Sequence, residues 1–253
     1  MRKLGSLSKN LSINIYKTID STNTQAKMYA EYGRCKNSVF IANEQTAGRG
    51  RLGKSFVSAK NKGLYLSILL NENLPPEFAT SLTTYMAVIA TGAIDSLTGL
   101  KTEVKWVNDI YVRGKKLAGI LTEGKAADNG QSLSYAVVGI GINLLSQDFP
   151  EDIKNIATSI ENECGKRINR YDLAALIIKE FFDKLHLVGS EKICAEYKSR
   201  SFLIGEQVNV IKPLATYEAT VIDITDKCEL ELLLPDGKKE ILSTGEVSVR
   251  PKR

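Results

Sequence analysis

The run Leu64–Leu70, L-Y-L-S-I-L-L, is apolar at nearly every position, and it restricts the fold more than any other stretch of the chain. A strand with one face in water alternates apolar and polar residues, whereas a strand without that alternation is covered on both faces. The chain is therefore expected to build a sheet with helices packed against it. The helices show by their period. From Ala79 to Leu97, the residues Leu82, Met86, Ile89, Ala93 and Leu97 recur at steps of three and four, and Gly99 is placed to close the helix. Over Asn169–Val188, the residues Leu173, Leu176, Ile177, Phe181, Leu185 and Val188 form a second core stripe, and a shorter helix is expected over Glu191–Ser199.

Further strands surround this centre. Ile13–Ile19 and Val39–Ala42 read as strands, and Thr22 with Gln25 fits a capping box that opens a helix running to about Tyr32, before Gly33. Glu103–Val112 alternates throughout, which predicts one strand. Lys105, Val107, Asp109 and Tyr111 would face one way, Val104, Trp106, Asn108 and Ile110 the other, with Lys105 and Asp109 out of reach of each other. Arg113-Gly114-Lys115 predicts a hairpin turn into Leu117–Thr122, and a turn over Ala126–Gly130 leads to Tyr135–Leu144. From Leu203 the texture changes to short β-rich runs: Gln207–Ile211, Ala219–Ile224, Leu230–Leu234, Lys239–Leu242 and Val247–Arg250. Pro213, Asp226, Pro235-Asp236-Gly237 and Gly245 punctuate them, the pattern of a small SH3-type barrel. The expected division is residues 1–200 and 201–253.

Composition narrows the chemistry. Hydrophobic residues at 43% and charged residues at 25% over 253 positions are ordinary for a globular chain. A net charge of +5 favours anions but falls short of the dense basic footprint of a dedicated nucleic-acid binder. Cys35, Cys164, Cys194 and Cys228 stand far apart with no C-x-x-C, which argues against a zinc site or a disulfide framework. The single histidine, His186, falls in a helical run as a surface residue and has no nucleophile motif beside it, so triad chemistry is set aside. Without an apolar leader or a membrane-length run, the reading is a cytoplasmic protein with no membrane partner.

The stretch Glu44–Phe56, E-Q-T-A-G-R-G-R-L-G-K-S-F, is a loop between two predicted strands. Gly48, Gly50 and Gly53 alternate with Arg49, Arg51 and Lys54, and bare N–H groups with interleaved cations suit phosphates. The Walker A spacing is absent. On the residues alone the loop reads as a ligand clamp or as a basic patch on RNA. Ser21-Thr22-Asn23 is by itself a helix cap, although the first N–H groups of a helix also suit an anion. Charged residues in a strand as apolar as 103–112 point to a ligand-facing surface, because unpaired buried charge is costly.

Five segments occur in order: S-T-N at 21–23, E-Q-T-A-G-R-G-R-L-G-K at 44–54, K-W-V-N-D at 105–109, K-K-L-A-G-I-L-T-E at 115–123 and G-I-G-I-N at 139–143. Together they resemble the catalytic domain of biotin protein ligases, and the C-terminal texture resembles that family's small SH3-like domain. The resemblance runs from about residue 10 to the end. It implies an α+β fold: a mixed sheet with flanking helices, like class II aminoacyl-tRNA synthetases and lipoate ligases, followed by a small SH3-like β-barrel. It also implies biotin as substrate, with ATP and Mg2+ as co-substrate and metal. Biotin's carboxylate attacks the α-phosphate to give biotinyl-5′-adenylate and pyrophosphate, and a carrier lysine then attacks the mixed anhydride. The implied partner is a biotin carboxyl carrier protein or domain of acetyl-CoA carboxylase or a related carboxylase, with a homodimer as a further possibility.

Carried over by position, the resemblance assigns Ser21, Thr22, Asn23, Gln45, Gly48, Arg49, Gly50 and Gly119 to biotin. Arg51 and Lys116 are the implied catalytic residues and also contact biotin, Lys116 bridging its carboxylate and the phosphate; Lys115 does not hold the lysine position of K-L-A-G. Arg51, Lys54, Phe56, Asn108, Asp109, Asn143 and Arg250 are assigned to the nucleotide, and Asp109 to its metal. Two positions depart from the family pattern: Val107 stands for the usual proline, restoring an N–H, and Phe56 for a tryptophan, with less area to stack on adenine. Only twenty residues precede S-T-N, too few for the helix-turn-helix domain of bifunctional members, so a ligase without a DNA partner is expected. The alternatives are a lipoate or octanoate ligase, against which the G-R-G-R-x-G-K and K-W-x-N-D segments count, and a nucleic-acid-binding module. The latter would interleave aromatics with cations, which this chain does not.

Overall fold

The computed structural model describes residues 11–33, 36–71, 74–128, 130–212, 215–243 and 248–251. Strand β1 (Ser12–Tyr16) leads through helix α1 (Thr22–Glu31) to β2 (Ser38–Ala42), which lies parallel to it. β3 (Gly63–Leu70) follows antiparallel to β2, and all eight of its residues are buried, as its lack of alternation requires. Helix α2 (Pro76–Thr98) opens on a proline at its first turn and closes on Gly99, whose φ of 76° a side chain would resist. Then come β4 (Glu103–Lys105), β5 (Asp109–Val112), β6 (Lys115–Ala126) and β7 (Leu133–Asn143), completing a mixed sheet of order β1-β2-β3-β7-β6-β5-β4. Helices α3 (Ile160–Cys164), α4 (Arg170–Asp183) and α5 (Glu191–Ser199) follow.

The pleat gives the sheet two different faces. Leu64, Leu66, Ile68 and Leu70 of β3 pack with Ile140 and Ile142 of β7, Ala118 and Ile120 of β6 and Leu82, Met86 and Ile89 of α2 in the main core. Leu69 with Val137 and Tyr135 faces the other way, where they pack with Phe40 and with Ala26 of α1. Helix α4 ends at Asp183, sooner than the stripe suggested; Leu185–Leu187 form a 3-10 turn that still packs on the core, with His186 exposed.

Glu103–Val112 is not one strand. β4 and β5 form a hairpin turning through Trp106, Val107 and Asn108, with a cis Trp106–Val107 peptide, so Lys105 sits opposite Asp109 across the ladder. Val107 is buried together with Trp106 in the main hydrophobic cluster, whereas Lys105 is only half-buried. Tertiary packing overrides the alternation: Trp106 Nε1 donates to Cys228 O at 2.9 Å, and Tyr197 Oη donates to Val107 O at 3.0 Å. A straight strand would leave one of these two apolar residues on a polar face.

The C-terminal region forms β8 (Gln207–Lys212), β9 (Ala215–Ile224), β10 (Leu230–Leu233), β11 (Lys239–Leu242) and β12 (Ser248–Pro251). They make an antiparallel sheet of order β11-β10-β9-β8-β12, and no pairing among the described residues closes β11 onto β12 into a barrel. Val208, Val210, Val221, Leu230 and Leu232 join the same hydrophobic cluster as α2 and the large sheet. No helix among the described residues is long and apolar enough to cross a membrane.

Candidate functional site

The site lies on the sheet face opposite α2. Along β7 the alternation brings Gly139, Gly141 and Asn143 to that face, and along β6 Gly119 and Glu123. Gly141 is flanked by Tyr65 and Gly119, and Gly119 by Asp109, so one row across four strands has two residues without side chains. The ring of Phe56 fills that gap: a Cβ on Gly141 would lie 2.4 Å from it, and one on Gly119 3.4 Å. A Cβ on Gly139 would lie 2.0 Å from Asn23 Oδ1. G-I-G-I-N thus supplies a floor thin enough for Phe56 and the start of α1 to approach.

At that start the expected capping box does not form. Ser21 is the N-cap without a side-chain cap bond, and Gln25 Nε2 turns to Asp20 Oδ1 at 3.4 Å. Thr22 is engaged elsewhere. Its N–H and Oγ1 lie 2.8 and 3.0 Å from Gln45 Oε1, while Gln45 Nε2 donates to Ser58 Oγ at 2.8 Å. Ser67 Oγ lies 2.7 Å from Thr22 Oγ1 and 2.6 Å from Asn23 Oδ1. Asn23 Oδ1 can only accept, so the single Ser67 proton goes to it. Ser21, Thr22, Asn23 and Ser67 are all buried, so this network fixes polar groups inside an otherwise apolar wall.

The glycine loop is a folded unit. Gly50 N–H donates to Lys54 O at 2.6 Å, Phe56 N–H to Gly48 O at 2.9 Å, and Arg51–Gly53 make a 3-10 turn. Gly48 is required by space: a Cβ there would meet Phe56 O at 2.3 Å and Ser58 Oγ at 2.5 Å. The loop carries Arg51 to the hairpin turn, where its Nη1 donates to Asn108 Oδ1 at 3.1 Å; Asn108 Nδ2 in turn donates to Ile120 O at 3.1 Å. Burial pulls the Arg51 guanidinium below its ordinary value, opposed by the charge of Asp109. Arg49 pairs instead with Glu123 at 3.2 Å. Lys54 is exposed.

Lys116 reaches this face through a bulge. Ile110 of β5 faces Ala118, yet the next residue, Tyr111, faces Lys116, so Leu117 is one residue extra. Leu117 and Ala118 are consequently both buried, and Lys116, not Lys115, shares a face with Asp109 and Gly119. Lys116 Nζ lies 2.7 Å from Asp109 Oδ1, a close charge pair, although that buried oxygen makes no aligned hydrogen bond. Asn143 is buried and donates through Nδ2 to Thr158 O at 3.0 Å, beside the backbone bond from Thr158 N to Lys116 O. Arg250 pairs with Asn209 through its backbone in β12, and its side chain lies outside the described structure. No group of three or more His, Cys, Asp or Glu side chains that could hold a metal exists among the described residues.

Residues from every motif therefore meet on one face, along with others to which the resemblance assigned no role. Ser67 was visible as the lone serine in L-Y-L-S-I-L-L, and Gly139 and Gly141 as the two glycines of G-I-G-I-N. Glu123 closes its apolar strand. Ser58 and Lys27 had no such signal. Two cations, Arg51 and Lys116, on separate segments converge on Asn108-Asp109 next to a buried hydroxyl–amide network. Such an arrangement can bring two anions together and offset their repulsion.

Residues 15–143 match the biotin/lipoate A/B protein ligase family, and residues 203–250 match the biotin protein ligase C terminal domain. The chain is 31% identical over 229 residues to the bifunctional ligase/repressor BirA of Bacillus spizizenii, covering 89% of this chain and 70% of that protein. It is 29% identical over 218 residues to the biotin–[acetyl-CoA-carboxylase] ligase of Mycobacterium tuberculosis, covering 83% and 77%. The biotin protein ligase from Aquifex aeolicus, solved in complex with biotin and ATP, superposes with a TM-score of 0.81 at 27% identity, over 95% of this chain and 99% of that one.

Proposed function

The chain belongs to the biotin/lipoate A/B protein ligase family, and from that premise we infer that it is a biotin–protein ligase that activates biotin with ATP and transfers it to a carrier lysine. One observation carries the assignment of roles: Arg51 and Lys116 meet at Asn108-Asp109, beside the Thr22–Asn23–Ser67–Gln45 network. In this reading the network receives the ureido ring of biotin, whose N–H and C=O groups suit fixed amides and hydroxyls. A lipoyl dithiolane offers no N–H or O–H donor to such groups, and leaving buried polar atoms unpaired costs affinity.

The biotin carboxylate then lies toward Lys116, which exchanges Asp109 for the carboxylate and the α-phosphate as the two approach. Arg51 adds a second positive charge from the loop. Attack of a carboxylate oxygen on the α-phosphorus forms the mixed anhydride and releases pyrophosphate; attack of the carrier's neutral amine on the acyl carbon forms the amide and releases AMP. Neither step needs a side-chain nucleophile. Phe56, over Gly119 and Gly141, supplies an apolar plate for the adenine, with Asn143 at its edge. Asp109 suits the magnesium that accompanies ATP, since such an ion typically takes one or two carboxylates and fills its remaining sites with phosphate and water; there it would neutralise phosphate charge. Ser21, Arg49, Gly50, Lys54 and Arg250 complete the proposed contacts.

The partner is a biotin carboxyl carrier protein, and the names of relatives suggest acetyl-CoA carboxylase as its parent enzyme. β1, paired only with β2 among the described residues, leaves a sheet edge for a homodimer. A cytoplasmic setting fits these assignments. The test is exchange of labelled pyrophosphate into ATP by the purified chain. Exchange should depend on biotin; dependence on lipoate or octanoate would move the protein to the sister activity, and exchange with no acid requirement would end the ligase reading.

A further inference from the structure

Glu123 lies at the polar end of β6, on the face that carries Gly119 and the Asn23 network. Three donors from two other segments meet its carboxylate. Asn23 Nδ2 donates to Oε2 at 2.9 Å, and Lys27 Nζ and Arg49 Nη1 lie 2.7 and 3.2 Å from Oε1. Burial alone would raise this carboxyl's pKa, but the bonds from Lys27 and Asn23 and the nearby charge of Arg49 outweigh it and hold the group below the usual range. The carboxylate is therefore ionised at neutral pH, and two cations compensate its half-buried charge.

Asn23 has one feasible orientation in these surroundings. Its Nδ2 faces Leu121 O at 3.1 Å and the Glu123 carboxylate, both of which can only accept. Its Oδ1 faces the Ser67 hydroxyl. A flipped amide would set an oxygen against an anion and a carbonyl and point its N–H groups at Ser67. Sideways movement is closed by the β7 backbone, since even a Cβ on Gly139 would lie 2.0 Å from Oδ1. Leu121 O contributes to the choice, but as a neutral acceptor; a charged acceptor makes a bond roughly twice as strong.

We propose that Glu123 is a positioning residue for substrate selection: its carboxylate clamps the Asn23 amide so that Oδ1, with one lone pair on Ser67, presents its other to a ureido N–H. Lys27 and Arg49 keep the clamp charged. The role rests on the biotin reading. It goes beyond it by assigning selection between ureido-bearing and donor-free acids to a residue that touches neither. A ligand without N–H donors gains nothing from the clamp and loses nothing when it is removed.

The experiment is a double-mutant cycle on the full chain, read by pyrophosphate exchange at varied biotin and ATP, with thermal melts to verify folding. Glu123→Gln keeps the shape and removes the charge. The KM for biotin should rise about five- to fiftyfold, part of the typical effect of a hydrogen bond to a charged group, while the KM for ATP stays within about twofold. In an Asn23→Ala background, Glu123→Gln should raise the biotin KM no further, because the residue acts through that amide. The selectivity ratio of biotin over lipoate should fall by the same factor as the biotin KM rises. If Glu123→Gln does not fold, Glu123→Asp keeps a charge for the cations but withdraws the oxygen from Asn23, and the same rise is expected. A folded variant with an unmoved biotin KM, equal rises for biotin and ATP, or additive costs in the cycle would each overturn the role. Wild-type protein lacking biotin-dependent exchange would remove the biotin reading and the clamp together, whereas normal wild-type exchange with any of those variant outcomes removes the clamp alone.

Discussion

Replacing Lys116 by alanine tests the reacting centre directly. The amine sits 2.7 Å from Asp109 Oδ1, with 32% of the lysine side chain exposed, so in the free protein it is one half of a partly solvated ion pair. Losing such a pair typically costs about 1 kcal/mol or less of stability, which for a chain of this size lowers the melting temperature by only a few degrees. The cost to catalysis is larger. A positioned charge that meets developing charge in the transition state is typically worth roughly 3–4 kcal/mol, or between two and three decades in rate at about 1.36 kcal/mol per decade. Lys115→Ala is the control. Lys115 is exposed at the hairpin turn, and only the extra residue Leu117 in β6 places its neighbour, and not itself, on the site face. Biotin-dependent pyrophosphate exchange with both variants, alongside thermal melts, decides the matter. Comparable damage from the two, or greater damage from Lys115→Ala, would mean that β6 runs without the bulge and that Lys116 points toward α2.

Arg51→Gly should let the adenylate escape, so that serum albumin mixed with the variant, biotin and ATP becomes labelled and detectable with streptavidin. One lost charged hydrogen bond, roughly 1.5–3 kcal/mol, shortens retention by one to two decades; clean albumin despite normal adenylate formation would refute retention of the adenylate by Arg51. Gly139→Ala should raise the KM for biotin by at least about tenfold and lower the melting temperature, since its Cβ would meet Asn23 Oδ1 at 2.0 Å and overpacking typically costs about 1–3 kcal/mol; wild-type kinetics would mean the amide is free to move. The depressed pKa of Glu123 makes a stability contribution that is full above the ordinary carboxylate value of about 4.3 and lost as pH falls through the lower folded value. The melting-temperature gap between wild type and Glu123→Gln should therefore close on acidification from about pH 5 to pH 3, and a gap that widens would show the carboxyl is not stabilised by its cations.

Much of the architecture was present in local pattern. The unbroken apolar run of β3, the three-and-four spacing of α2 ending at Gly99, and Glu191–Ser199 as α5 were each legible because burial repeats along the chain with the period of the element. The five ordered segments identified the family, and the family membership and fold follow the resemblance. Pattern failed where two elements share a period or where a partner is remote. Alternation survived the β4–β5 turn, so a hairpin looked like a strand until Trp106 was seen bonded to Cys228, 122 residues away. A capping box at Thr22 was locally sound, but Thr22 makes its bonds to Gln45 and Ser67 instead.

Reading along the chain shows which residue types are available for the chemistry: cations among glycines, a lysine before L-A-G, and amides and hydroxyls in apolar surroundings. Which of them meet depends on the folded arrangement. One surplus residue in β6 chooses Lys116 over Lys115, and glycines on β7 open the space that Asn23 and Phe56 occupy. Glu123 finds Asn23 at a separation of 100 residues. A periodic pattern reports how deeply each residue is buried, because burial is a property of one position. The partner of a buried polar group is a property of two, and it is set by the register and spacing of strands that the chain brings together only on folding.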